Sequence, residues 1–240
     1  MNLAIHARSP FTLETTDARK TALVLDARHT GCAIATHLAE RDFAVAIGYR
    51  PHDAGIATET AAVLVRAGGR AIAVPVGEGE AGIAHLFECA EHVFGRVDVL
   101  IDNGRGELAS HSAEDELFDR YFGAALRGMV DGVRVAAPRL RSGGSIVHLS
   151  DARTDNPMRT LAWMTPQAAL EWLLRTFAGE LARYDVRVNA IAPSIDCDDD
   201  AIADAVADAV ALLAGEDGDG CNGQVFDVGA LACHAIGASP

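Results

Sequence analysis

At 240 residues, half of them hydrophobic, the chain is long enough for one domain with a buried core, yet no run approaches the ~20 apolar residues of a membrane span. Its formal net charge of -14 argues against nucleic acid or an anionic membrane as a partner, since both select basic surfaces. Five cysteines (Cys32, Cys89, Cys197, Cys221, Cys233) lie scattered without a C-x-x-C pair, which supports neither a disulfide framework nor a zinc site; with no signal-peptide pattern in Met1–Arg19, the expected location is cytoplasmic.

Residues 1–19 read as an N-terminal extension with no assigned role, and residues 20–240 as the domain proper. Along that domain, apolar runs alternate with segments of helical period. Strand Thr21–Leu25 leads through a polar turn into a helix over Cys32–Arg41, and Ala44–Gly48 is the next buried strand. A helix over Gly55–Ala67 is stopped by Gly68-Gly69. Ala71–Val76, helix Ala81–Phe94 and strand Val97–Ile101 follow. A long helix is expected over Ala113–Leu140, stopped by Ser142-Gly143-Gly144. Then come strand Ser145–Leu149, a second long helix Leu161–Tyr184, strand Val186–Ile191, helix Ala201–Ala214 and strand Gln224–Val228. Near-continuous apolar strands alternating with helices predict a three-layer α/β domain of the Rossmann-like, doubly wound kind, its parallel sheet covered on both faces. Ligands in that architecture sit at the carboxyl ends of the strands, at the switch point.

Several segments carry a resemblance. Thr21-Ala-Leu-Val, Phe94-Gly-Arg-Val-Asp-Val-Leu-Ile, Gly143-Gly-Ser-Ile-Val-His-Leu-Ser, Ala168-Ala-Leu-Glu, Val186-Arg-Val-Asn-Ala-Ile-Ala-Pro and Asn222-Gly-Gln-Val-Phe-Asp-Val-Gly occur in the order expected of the short-chain dehydrogenase/reductase family. The chain resembles that family from Lys20 to about Gly229, as a degenerate member. The resemblance implies a Rossmann fold, a dinucleotide and a tyrosine–lysine pair whose ammonium lowers the phenol pKa from about 10.

That pair cannot exist here. Lys20 is the one lysine, and four residues beyond Tyr49, Tyr121 and Tyr184 stand Asp53, Ala125 and Val188. Laid on the family pattern, the catalytic positions hold Ala125, Asp151, Trp163 and Gln167 in place of asparagine, serine, tyrosine and lysine. Trp163 has an indole N–H that does not titrate in water, and Gln167 carries no charge. The glycine-rich first turn becomes Leu25-Asp-Ala-Arg-His-Thr-Gly31, one residue shorter, with Gly31 alone in register and Asp26 adding negative charge that Arg28 and His29 partly offset. The family's adenine-contacting aspartate falls near Gly77, its Asn-Asn-Ala-Gly becomes Asp102-Asn103-Gly104-Arg105, and the substrate loop after Pro193 is shortened. Arg50, ending the second strand, is the residue type that grips a 2′-phosphate in NADP-preferring relatives; a surface arginine is an equal reading. Gly31, Arg50 and Asn103 are the expected vestiges of a cofactor cradle, so either no cofactor or weak NADP(H) binding is expected.

Asp151, Ser150 and His148 are the replacement acid/base candidates, weighed against an ordinary strand-end turn. Asp196, Asp198, Asp199 and Asp200 read as first-turn acids of a helix, so no metal is expected. Trp163 is assigned to the old cavity, and Trp172 to an interface. The leading expectation is a non-catalytic auxiliary subunit without ordinary hydride transfer, in a homo-oligomer or beside an active paralogue, through helices 113–140 and 161–184. Two alternatives stand beside it: a non-redox cyclase, dehydratase or isomerase reusing the cavity, and an atypical NADPH-dependent oxidoreductase.

Overall fold

The computed structural model describes residues 19–103, 126–150, 157–193 and 200–228, with side chains left out at 29, 157–168, 200 and 201. Seven strands form one parallel sheet: β1 (Thr21–Leu25), β2 (Ala44–Tyr49), β3 (Arg70–Pro75), β4 (Val99–Asp102), β5 (Gly144–Leu149), β6 (Val186–Ala192) and β7 (Val225–Asp227). Their order is β3-β2-β1-β4-β5-β6-β7, so the winding reverses between β1 and β4. The helices are α1 (His29–Glu40), α2 (Ala54–Arg66), α3 (Gly79–Phe94), α4 (126–136 among the described residues), α5 (Pro157–Leu181) and α6 (Asp200–Ala214).

Strand alternation splits the core into two layers. Ala22, Val24, Val45, Ile47 and Ile101 pack on α1, α2 and α6. Leu23, Leu25, Ala46, Leu100 and Ile146 pack on α3, α4 and α5 through Leu86, Phe87, Met129, Val133 and Leu174. This is the doubly wound, three-layered sandwich that the alternating pattern predicts. No helix among the described residues is long and apolar enough to cross a membrane.

Element limits depart from expectation where one residue overrides the period. α1 starts at His29, three residues early, because Asp26 takes a left-handed φ of 74° and closes the turn that glycines otherwise make. α4 stops at 136 rather than at Leu140, because Pro138 lacks an N–H and restricts the residue before it. α5 opens at Pro157, the first-turn position that proline favours. It closes in a 3-10 turn, Ala182–Tyr184, with Asp185 left-handed at φ 57°. On α5, Trp172 is 65% exposed.

The amino ends of the central strands are tied by Asp98. Its buried carboxylate accepts the Thr21 backbone N–H at 2.8 Å and faces the Arg141 guanidinium at 3.2 Å. Burial pushes this carboxyl above the ordinary carboxylate value, while the Thr21 N–H pulls the other way. The folded chain therefore holds that proton more tightly than the unfolded chain. Asp98's contribution to stability falls as pH rises from the ordinary value of 3.8 through the raised one, then stays level. Asp98→Ala leaves the Thr21 N–H buried without an acceptor and is expected to cost about 2–4 kcal/mol by urea denaturation at neutral pH. Asp98→Asn should flatten the pH slope just above the ordinary carboxylate range.

Candidate active site

Buried polar side chains in the sheet divide by location. Away from the switch point they are satisfied by backbone. The Ser145 hydroxyl donates to Leu213 O at 3.2 Å, the Asn189 amide donates to Cys221 O at 2.8 Å, and Asn189 Oδ1 accepts the Gln224 N–H at 3.1 Å. At the carboxyl ends of β4 and β5 stand Asp102, Asn103, His148 and Ser150, all nearly inaccessible.

The β1–α1 turn borders this cluster. Asp26 is held by its neighbour: its carboxylate accepts the Arg28 backbone N–H at 3.0 Å and the Arg28 guanidinium through Nε at 2.8 Å and Nη2 at 2.5 Å. The Asp26 side chain is 9% exposed, and the charge that looked hostile to phosphates is closed into an ion pair. Arg28 is also the extended N-cap of α1, with no side-chain cap. The first-turn N–H groups of α1 thus keep their anion-favouring character. Gly31 is required by closeness: a Cβ there would lie 2.0 Å from Asp26 O and 3.2 Å from Asn103 Nδ2.

Asn103 reaches toward the same turn, its Nδ2 lying 3.4 Å from Asp26 O. Its Oδ1 is buried without a partner among the described residues, at the switch point. Arg50 lies one residue beyond β2, as the N-cap of the 3-10 turn Pro51–Asp53. It is half-buried, and no ion pair or hydrogen bond engages its guanidinium among the described residues. At Gly77, just past β3, an added Cβ would meet nothing within 4 Å, so the place of the family's adenine contact is open space. An unpartnered cation after β2, an open floor after β3, an orphaned acceptor and a helix N-terminus fit the adenosine and diphosphate half of a dinucleotide.

Cys32 donates its thiol to Ala27 O at 2.8 Å and accepts from Thr60 at 3.2 Å. Burial pushes this thiol up, which suits packing rather than reactivity.

His148 is the second finding. Its Nδ1 lies 2.9 Å from Asp102 Oδ2, with both side chains 5% exposed. The two residues are Cα partners across the β4–β5 ladder. They share a side of the sheet with Leu100 and Ile146, facing α4, where a Cβ on Gly132 would sit 3.7 Å from Asp102 Oδ2. Ser150 does not join them. Its hydroxyl donates to Ile191 O at 3.3 Å, and its N–H donates to the same carbonyl at 2.9 Å, a strand-end tie.

Ala125, Arg105, Asp151, Asp196, Asp198 and Asp199 lie outside the described residues, as do the side chains of His29, Trp163, Gln167 and Asp200. The Asp102–His148 pair was not visible by residue type. Its signal is register, since once β4 and β5 are paired in parallel the two residues fall opposite each other.

Residues 25–196 match the family model described as enoyl-(acyl carrier protein) reductase. The chain is 36% identical to an uncharacterized oxidoreductase of Methylorubrum extorquens over 72% of each chain. It is 31% identical to the 1-cyclohexenylcarbonyl-CoA reductase of Streptomyces collinus, over 76% of this chain and 67% of that one. Among solved structures it superposes on a short chain dehydrogenase from Burkholderia cenocepacia in complex with NADP (TM-score 0.73, 27% identity, 89% of this chain and 97% of the other). These findings overturn the expectation of a non-catalytic auxiliary subunit, because relatives over most of the chain are reductases and oxidoreductases. The physical reason lies in the turn. Asp26, read alone as a loss, is closed into an ion pair with Arg28, and the N-terminus of α1 carries no side-chain cap.

A double-mutant cycle tests that neutralisation. Arg28→Ala strands a buried carboxylate and should lower thermal stability more than Asp26→Asn does. The coupling energy between the two positions, read from melting curves, is expected at about 1–3 kcal/mol, discounted for the part-exposed Arg28.

Proposed function

Because the chain belongs to the short-chain dehydrogenase/reductase family, we propose that it is an atypical NADP(H)-dependent oxidoreductase working without the tyrosine–lysine pair. The observation that carries this reading is Arg50, a half-buried guanidinium at the end of β2 with no partner among the described residues, beside an open floor at Gly77. An arginine there suits a 2′-phosphate, by charge-assisted and bidentate hydrogen bonding. Bound NADP in solved relatives supports the same cofactor, including an angucycline C-6 ketoreductase at 25% identity and TM-score 0.72.

The residues divide the work as follows. Arg50 holds the 2′-phosphate and sets preference for NADP over NAD. Gly31 brings the start of α1 close enough for its N–H groups to face the diphosphate, and Arg28 cancels Asp26. Asn103 Oδ1 accepts a hydrogen bond from a hydroxyl. The reduced dinucleotide, when bound, supplies a hydride. The substrate class is a cyclic carbonyl or enoyl compound, a reading supported by the names of the relatives: a cyclohexenylcarbonyl-CoA reductase, a tetrahydroxynaphthalene reductase and an angucycline ketoreductase. Two copies would pair through α4 and α5, and the 65% exposure of Trp172 supports that arrangement.

Calorimetric titration with NADPH and NADH tests the cofactor. NADPH should bind at least about 10-fold tighter, and Arg50→Ala should remove that advantage while leaving NADH affinity unchanged, in line with about 1.5–3 kcal/mol for a hydrogen bond to a charged group. No saturable binding of either dinucleotide would overturn the reading. For the assembly, Trp172→Glu should shift size-exclusion elution toward a smaller species; unchanged elution removes that surface from the interface.

A further inference from the structure

We propose that Arg28, clamped by Asp26, grips the diphosphate of the dinucleotide, in place of the glycine-rich turn that this chain lacks. The inference rests on the oxidoreductase reading above and gives that reading a phosphate-binding side chain. Its first support is an asymmetry within the ion pair. The Asp26 side chain is 9% exposed and the Arg28 side chain 38%, so the member that meets solvent at the start of α1 is the cation. The turn lies at the carboxyl end of β1, which pairs with β4 where the winding of the sheet reverses.

The clamp has a defined shape. Asp26 accepts the Arg28 Nε–H at 2.8 Å and an Nη2–H at 2.5 Å. Those two nitrogens form one forked edge of the planar guanidinium, so the second edge, Nη1 with Nη2, is turned away from the carboxylate. A forked edge of this kind matches two oxygens of a phosphate group. The Arg28 backbone is fixed as well: its N–H donates to Asp26 Oδ1 at 3.0 Å, and the residue is the extended N-cap of α1. An arginine held this way has already lost the rotamer freedom that a loose one gives up on binding.

Closing the turn does not by itself call for an arginine. The Asp26 carboxylate and the backbone N–H two residues on close it, and any residue except proline supplies that N–H. The donors at the helix start are also partly committed. The Gly31 and Cys32 N–H groups go to Arg28 O at 2.6 and 3.2 Å, and the Arg28 N–H goes to Asp26. An anion at this place thus meets fewer backbone donors than an uncommitted helix start presents. A forked cation at the N-cap supplies the difference. Arg50 follows β2, on the other side of β1 from β4, so the two arginines divide the cofactor between its 2′-phosphate and its diphosphate.

The test uses the full chain, with NADPH and 2′-AMP as probes; 2′-AMP carries the 2′-phosphate without the diphosphate. Calorimetry compares wild type, Arg28→Gln, Asp26→Asn and the double variant, with circular dichroism melts to confirm folding. Arg28→Gln should weaken NADPH binding by about 10-fold or more, in line with a lost hydrogen bond to a charged group, and leave 2′-AMP within about threefold of wild type. The double variant separates gripping from charge cancellation, because it strands no carboxylate, and it carries the test alone if Arg28→Gln fails to fold. Compared with Asp26→Asn, it should still bind NADPH about 10-fold more weakly. In ³¹P spectra of bound NADPH, the diphosphate resonances should move between these two variants while the 2′-phosphate resonance stays. A difference under about threefold between the double variant and Asp26→Asn would mean that Arg28 only offsets the Asp26 charge. That result would overturn the proposal, while NADPH binding to wild type kept the oxidoreductase reading intact. No saturable NADPH binding by wild type would instead remove that reading and the proposal together.

Discussion

The turn between β1 and α1 depends on one ion pair. Asp26 stands in the turn between β1 and α1, where a diphosphate approaches in folds of this kind, and Arg28 closes on it through its guanidinium and its own backbone N–H. Two unit charges about 4 Å apart interact by roughly 4 kcal/mol at an effective dielectric near 20, so a bare carboxylate there would repel a phosphate strongly. Paired, it presents little net charge, and the open N–H groups of α1 decide the local field. The left-handed backbone at Asp26 costs about 1–2 kcal/mol relative to glycine, and its hydrogen bonds to Arg28 offset that cost. A charge-closed turn thus replaces a glycine-rich one, and the close contact of Gly31 with Asp26 O keeps the helix in place.

The proposed oxidoreductase reading poses a different problem. It takes its hydride from the dinucleotide, but the proton must come from the protein or from water. The family's solution requires a lysine four residues after a tyrosine, and this chain has one lysine, near the start of β1. The loss concerns one proton-transfer step only. Strand order, the two-layer core and the polar cluster at the carboxyl ends survive independently of it. Lost family residues taken one at a time suggest an inert subunit, whereas the relatives over most of the chain are reductases and oxidoreductases.

Much of the fold was legible in the sequence, because alternation of apolar runs and helical periods survives any single substitution. The limits were less so. Pro138 ends α4 early, although the apolar period continues past it. Asp26 in a left-handed conformation starts α1 early, although an aspartate at that place does not look like a turn-maker in the glycine sense. The candidate site was less so. Gly31, Arg50, Asn103 and His148 are candidates by position alone, and the pairing of Asp102 with His148 depends on the register between two strands more than forty residues apart. Similarly, the neutralisation of Asp26 depends on a side-chain direction that residue type does not reveal. Ser150 shows the converse: it resembled a catalytic candidate, and its hydroxyl is spent on Ile191 O.

Precision at the carboxyl ends is set at the opposite ends of the strands. Asp98 ties β4 to β1 through the Thr21 N–H, and Arg141 closes over it. Arg187 on β6 donates to the carbonyls of Leu213, Gly215 and Gly218, fixing the end of α6 against the sheet. Asn222 accepts the Val188 N–H and donates to Ala178 O, joining β6 to α5. These anchors are buried or half-buried and use backbone partners, so they hold the strands without drawing on groups at the switch point. Asp102 and His148 sit on strands rather than on loops, and the pairing of β4 with β5 sets their 2.9 Å contact. The division follows from burial energetics. Polar groups that fix the frame are satisfied by the chain itself, whereas Asn103 Oδ1 and Arg50, both just past the carboxyl ends of strands, have no partner among the described residues.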